Sequence, residues 1–370
     1  MAGSNVLVIA RKEFLDLLLG RRFLLLLGIL LAVCVVGLVG GVGEYNATLD
    51  NYNARQSAAD TSAVIPGLVN EPPSVMLVFE KLASPLALVL AILGIATGFD
   101  LIAREKEAHS LKQLLAAPVF RDQVINGKAL GGMAALVLAL TLAFACAIAV
   151  LLVSGIVPSA DELGRILLYV AGGLLLIAAF FSCALAASAV ANESGTALVA
   201  TLIVFTVLSL LVPVTVSDTV MGVIAGEAPQ PPITLTNPQP VQGTGNSTAA
   251  GVVIYRGEQD LSSPEWKRFQ AEMQVYSEKQ RTVQDISTLL SPGMNFEAIA
   301  NGLAGNENLA TFSSPAANRG GFVTTVKSSA AGAGTEDRAA GVAMNFLALL
   351  IFPAVCFGIA YTRFMRIDVR

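Results

Sequence analysis

Charge is scarce in this chain of 370 residues: Asp, Glu, Lys and Arg together make up 14% of it, against about 25% in soluble domains. With 54% hydrophobic residues, that shortage excludes a disordered chain and argues against a soluble globular enzyme, because so much apolar surface stays out of water only in a lipid bilayer. Histidine is nearly absent. His109 stands alone, which argues against an imidazole-based metal centre and a histidine-led catalytic triad. The formal net charge is −4, so the chain lacks a basic footprint for nucleic acid. Its four cysteines, Cys34, Cys146, Cys183 and Cys356, all lie in apolar stretches and read as small apolar residues of packed helices, without a disulfide framework. No phosphate-binding GxxxxGK[ST] loop occurs, since Gly127-Lys128 is followed by Ala129. CxxC and HExxH are missing as well, so no catalytic, cofactor or metal site is expected in this chain.

What the chain has in abundance is apolar runs. A spanning helix needs about 20 residues to cross roughly 30 Å of hydrocarbon. Six windows qualify: Phe23–Val42, Leu82–Phe99, Ala129–Val153, Ile166–Ala191, Thr196–Val216 and Val342–Tyr361. The first is too long for the apolar region of a cleavable signal and follows an amphipathic stretch. The fold class expected is an all-α polytopic membrane protein of six transmembrane helices. The spans hold almost no ionisable groups, which argues against an ion-driven carrier.

Lys and Arg in the short connections set the orientation. Arg11, Lys12, Arg21, Arg22, Arg104, Lys106, Lys112, Arg121, Lys128, Arg363, Arg366 and Arg370 fall on one side; only Arg55, Lys81 and Arg165 fall on the other. Twelve against three predicts that both termini are cytoplasmic. The domains expected are then 1–22, a cytoplasmic interfacial helix; 23–216, transmembrane helices 1–5 with a cytoplasmic segment at 100–128; 217–341, a large, mainly helical external insertion between helices 5 and 6; and 342–370, helix 6 and a cytoplasmic tail. In the N-terminal helix Leu7, Ala10, Phe14, Leu17 and Leu18 form the apolar face, with Lys12, Glu13 and Asp16 on the other. The polar stretch from Gly43 to Lys81 reads as an external loop. Ser263-Pro264-Glu265 starts a helix reaching about Leu290, whose stripe of Trp266, Phe269, Met273, Tyr276, Val283 and Leu290 is interrupted by Gln280 and Ser287. A second, interfacial helix follows from Met294 to Leu303, and one strand is expected at Phe322–Val326. Small residues of the fourth span, Ala178, Ala179, Cys183, Ala184, Ala187 and Ser188, suit close helix packing.

The most informative stretch is FDLIAREKEAHSLKQLLAAPVFRDQVINGK, residues 99–128. A charged turn at Arg104–Glu107 precedes Leu111, Leu114 and Leu115, spaced i, i+3, i+4 on one helical face, and Pro118 ends the helix. Spacing alone leaves two destinations equally open for those leucines, the bilayer surface or a groove on a partner.

This segment resembles the cytoplasmic segment of type-2 ABC exporter permeases, ExExGTLExLLxxPxxRxxxxxGK. Glu105, Glu107, Leu111, Leu114, Leu115, Pro118, Arg121, Gly127 and Lys128 occupy matching positions; Ala108-His109-Ser110 and Gln113 depart from the pattern. The opening IARKEFLDLLLGRRFLLLL is similar to the family too, at Glu13, Phe14, Arg21 and Arg22, as is Leu290-Ser291-Pro292. The resemblance implies a non-catalytic permease subunit of an ATP-driven exporter in a prokaryotic cell membrane. It implies a separate ABC ATPase that binds ATP and Mg and docks on residues 104–121, and a second permease copy or paralogue in a dimer. The rival reading is a membrane-anchored binding or assembly protein whose external domain recruits a partner without transport.

Overall fold

The computed structural model describes residues 2–59, 73–108, 120–226, 229, 264–304 and 335–366. The expected strand at Phe322–Val326, and Leu111, Leu114, Leu115 and Pro118, lie outside them. Among the described residues every regular element is a helix. They are α1 (Ala2–Leu18), α2 (Arg21–Ala59), α3 (Met76–Gly98), α4 (Ala103–Glu107), α5 (Arg121–Val153), α6 (Ala160–Val190), α7 (Ser194–Thr206), α8 (Asp218–Ala225), α9 (Pro264–Leu290), α10 (Pro292–Ala304) and α11 (Thr335–Met365).

Six helical segments are long and apolar enough to cross a bilayer: Arg21–Ala54, Met76–Glu107, Arg121–Val153, Ala160–Val190, Ser194–Val214 and Gly341–Met365. Each contains or closely overlaps one expected window. The protein is an all-α polytopic membrane protein. The largest departure is in α2. Residues expected to form a loop from Gly43 remain helical to Ala59. No proline interrupts that polar stretch; the Thr48 hydroxyl donates to the Glu44 carbonyl at 2.8 Å, and Glu44 pairs with Lys81 of α3 at 3.2 Å.

The chain divides into two compact units, Met1–Val212 with Thr288–Arg370, and Pro213–Ser287. In the first, glycine pairs four residues apart let helices meet backbone to backbone. A Cβ on Gly94 or Gly98 would lie 2.7 Å from the Ile177 or Phe181 carbonyl oxygen of α6, and one on Gly98 only 2.8 Å from Ala184 Cβ. Such small-residue contacts drive association where lipid removes the hydrophobic difference. Of the small residues named in the fourth span, Ala184 packs against α3 in this way; the small partners that permit the approach are the glycines of α3. Gly98→Val is expected to destabilise the bundle by about 1–3 kcal/mol through overpacking, lowering the detergent melting temperature. Gly28→Val, at a position where a Cβ meets nothing, serves as the control and should melt near wild type.

Helix α10 buries its stripe of Phe296, Ile299, Ala300 and Leu303 in the core. Tyr169 of α6 sits between Phe296 and Phe79 of α3, with ring centroids 5.0 and 5.3 Å away. After α7 the helix continues through a wider π turn at Val207–Leu211 into a last turn, Val212–Val214, that contains Pro213. Proline lacks the N–H and crowds the preceding turn, and a wider turn accommodates both defects.

In the second unit α9 starts at Pro264, as expected, and carries a half-buried stripe from Trp266 through Phe269, Met273, Tyr276 and Gln280 to Val283 and Ser287. The polar residues thought to interrupt the stripe belong to it: Ser287 is buried and exchanges a 2.8 Å hydrogen bond with Thr215. Leu290 is exposed instead.

Candidate functional site

The charged turn predicted at Arg104–Glu107 forms α4, a single helical turn beyond the end of α3. The N–H groups of Arg104, Glu105 and Lys106 reach the carbonyls of Asp100 and Ile102, while those of Ile102 and Ala103 at the start of the turn lack an intrahelical partner and take a side chain of another helix. The Ser188 hydroxyl of α6, fully buried, accepts from the Ile102 N–H at 3.0 Å and the Ala103 N–H at 2.8 Å. Lys106 Nζ donates to the carbonyls of Ala189 at 2.6 Å and Ala191 at 2.9 Å. It thereby caps the negative end of α6. The Glu107 carboxylate accepts from the Ser194 N–H at 3.2 Å and hydroxyl at 2.9 Å, placing an anion at the positive end of α7.

Glu105 points elsewhere. Two residues along a helix turn about 200°, so the paired acids of the motif face opposite ways. Glu105 meets Lys128 of α5 at 2.8 Å, and the same ammonium meets Glu13 of α1 at 2.6 Å. Lys128 is only 3% exposed, with Glu13 at 15% and Glu105 at 19%. A cation so buried persists because two carboxylates compensate it.

The approach of α1 to α5 makes this triad possible. A Cβ on Gly127 would lie 2.8 Å from Ile9 Cβ, and one on Gly131 would lie 2.6 Å from the Ala10 carbonyl oxygen. Ile9, Glu13 and Leu17 recur at four-residue spacing and share the face turned to α5. Glu13 is therefore not on the solvated side of the N-terminal helix, as the apolar pattern suggested, but 15% exposed and paired with Lys128. Phe14 packs against the core. Arg21 and Arg22 are exposed, and Arg22 reaches Asp100 at 3.6 Å, a loose surface pair of little energetic weight. Arg121 Nη1 donates to the Met365 carbonyl at 3.4 Å, joining the start of α5 to the end of α11.

The structure thus brings Glu13, Glu105, Glu107, Lys128 and the backbone of α4 into one cluster, and sets Arg121 against α11. Sequence reading took Ser188 only for a small packing residue and missed the roles of Ser188 and Ser194 as hydrogen-bonding anchors. Ser188 is the last polar residue before the end of α6, and Ser194 opens α7 after a three-residue break; both patterns mark helix ends. Ser188→Ala is expected to leave the Ile102 and Ala103 amides without their acceptor, at about 1–3 kcal/mol. Hydrogen–deuterium exchange over residues 100–108 should rise. Unchanged exchange there would remove Ser188 from the anchoring of α4.

Chemically the cluster holds no nucleophile and no base aimed at a cavity. Ser188, Lys106, Glu107 and the Glu105–Lys128 pair fasten this turn to α5, α6 and α7, and Lys128 joins it through Glu13 to α1.

A family model described as "ABC-2 family transporter protein" matches residues 7–369. A curated protein of Pseudomonas aeruginosa, named "Probable ABC transporter permease protein NosY", is 31% identical over 193 residues, 52% of this chain. The match spans 62% of that relative's own length.

Proposed function

This chain belongs to the ABC-2 family of transporter proteins, and from that premise we propose that it is the permease subunit of an exporter driven by a separate ABC ATPase. The ATPase binds ATP and Mg, seats residues 104–121 in a groove, and moves them as it closes and opens on nucleotide. The permease acts as a dimer with a second copy or a paralogue. It lies in the cell membrane with both termini and the α4 end of the bundle in the cytoplasm, in line with the Lys and Arg distribution.

One observation carries this reading: side-chain bonds fasten α4 to α5, α6 and α7, and Lys128 of α5 carries the connection on to Glu13 of α1. A push on the segment that continues from α4 is therefore delivered to α1, α5, α6 and α7 together. Hydrogen-bond and ion-pair networks that link packed helices are one carrier of such displacements, and this cluster is contiguous.

Reconstitution with a candidate ABC ATPase in lipid vesicles tests the proposal. ATP turnover is expected to require both proteins and to rise with the cargo when solutes and lipids are screened. ATP hydrolysis by this chain purified alone would overturn the proposal. So would labelling of a cysteine placed at Ser110 only from the side opposite the ATPase.

A further inference from the structure

Two of the four cysteines meet. Cys183 of α6 and Cys356 of α11 have their sulfurs 2.9 Å apart, within thiol hydrogen-bond contact, and both are free thiols. Each is half-buried, so part of each is open at the surface of the chain. Their position matters as much as their proximity. Cys183 lies five residues before Ser188, which holds the N–H groups of α4. Cys356 lies nine residues before Met365, whose carbonyl accepts from Arg121 of α5. A bond between the sulfurs would close a ring of attachments running from α4 through α6 and α11 to α5.

We propose that Cys183 and Cys356 are an oxidisable pair that forms a reversible intramolecular disulfide, stapling α6 to α11 and arresting motion at the α4 end of the bundle. The oxidant is a lipid-soluble quinone, the class of two-electron acceptor that reaches thiols within apolar spans. Both S–H bonds break and one S–S bond forms. The two electrons and two protons pass to the quinone, which becomes the hydroquinone. A dithiol reverses the reaction by exchange through a mixed disulfide. The arrest of transport rests on the permease reading given above; the cross-link itself does not.

The experiment uses the full-length chain in membrane vesicles with its ATPase. A protease site is inserted between Ala316 and Ala317, so that the later fragment carries Cys356 as its one cysteine. The vesicles are treated with a short-chain benzoquinone, quenched with N-ethylmaleimide, cut, and run without reductant. The fragments are expected to stay joined, to part with dithiothreitol, and to part without it in Cys183→Ser, Cys183→Ala and Cys356→Ser. Uncut protein should run as a monomer, which distinguishes this bond from one between chains. Permease-dependent ATP turnover should fall about tenfold or more on oxidation, as expected when a required conformational step is blocked, and should return with dithiothreitol. Fragments that separate after oxidation overturn the proposal. A cross-link that leaves permease-dependent turnover unchanged also overturns it, since the pair would then arrest nothing. If no ATPase activity depends on the permease even when reduced, the permease reading fails together with the proposed arrest, while the gel still decides whether the thiols join.

Discussion

Lys128→Met will cost the membrane domain about 3–5 kcal/mol, the loss seen when one partner is removed from a buried ionic group. The ammonium is 3% exposed and lies 2.6 Å from Glu13 and 2.8 Å from Glu105. Methionine fills similar volume but removes the ammonium that lies between the Glu13 and Glu105 carboxylates. The detergent melting temperature should fall sharply, and permease-dependent ATP turnover should be lost. Glu13→Gln alone is expected to be milder, because Lys128 keeps Glu105. The triple variant Glu13→Gln, Glu105→Gln, Lys128→Met removes all three charges and should recover most of the stability, since an uncharged replacement of a buried ion group is often neutral or better. Turnover should stay low in that variant, as α4 has lost its tie to α1 and α5. If Lys128→Met melts with wild type, the triad is not what joins the three elements.

The second large effect lies beyond α4. Leu111→Asp with Leu114→Asp will abolish co-purification of the ATPase while leaving the permease folded. Two leucines buried in a groove contribute about 1.5–3 kcal/mol each; their loss weakens association by about a hundredfold to ten-thousandfold. Burying the new carboxylates would weaken it further. Glu105, Lys106 and Glu107 stay in place, so the melting temperature of the permease alone should not change. Normal recovery of the ATPase with the double variant would leave the bilayer surface as the destination of these leucines.

The sequence made the spans legible because their cause is local. A run of about 20 apolar residues has one stable environment, and only the ends depend on neighbours. That is why α5 and α6 match their windows closely while α2 continues to Ala59, carried on by a proline-free polar stretch and the pairing of Glu44 with Lys81. The start of α9 was readable from Ser263-Pro264-Glu265 for the same reason. The burial of α10 was not, because an amphipathic stripe looks alike whether it meets lipid headgroups or a pocket beside Tyr169. The site was legible by half. Residue types at 105, 107 and 128 pointed to a functional segment, and a two-residue spacing already implied divergent partners. Their identities arose from contacts across distant parts of the chain: Glu13 is 115 residues from Lys128, and Ser194 is 87 residues from Glu107. Glu13 was misplaced because apolar neighbours were weighted over the four-residue register it shares with Ile9 and Leu17.

The length of α2 has a consequence of its own. At 1.5 Å per residue, its 39 residues measure about 58 Å, nearly twice the hydrocarbon thickness. The 17 residues beyond Val42 extend about 25 Å past the end of the apolar window as one unbroken rod. A rod magnifies angle into travel. A tilt of roughly 10° would sweep its tip sideways by about 4 Å over that overhang, so a rearrangement too slight to notice in the lipid would be broadcast at the opposite surface.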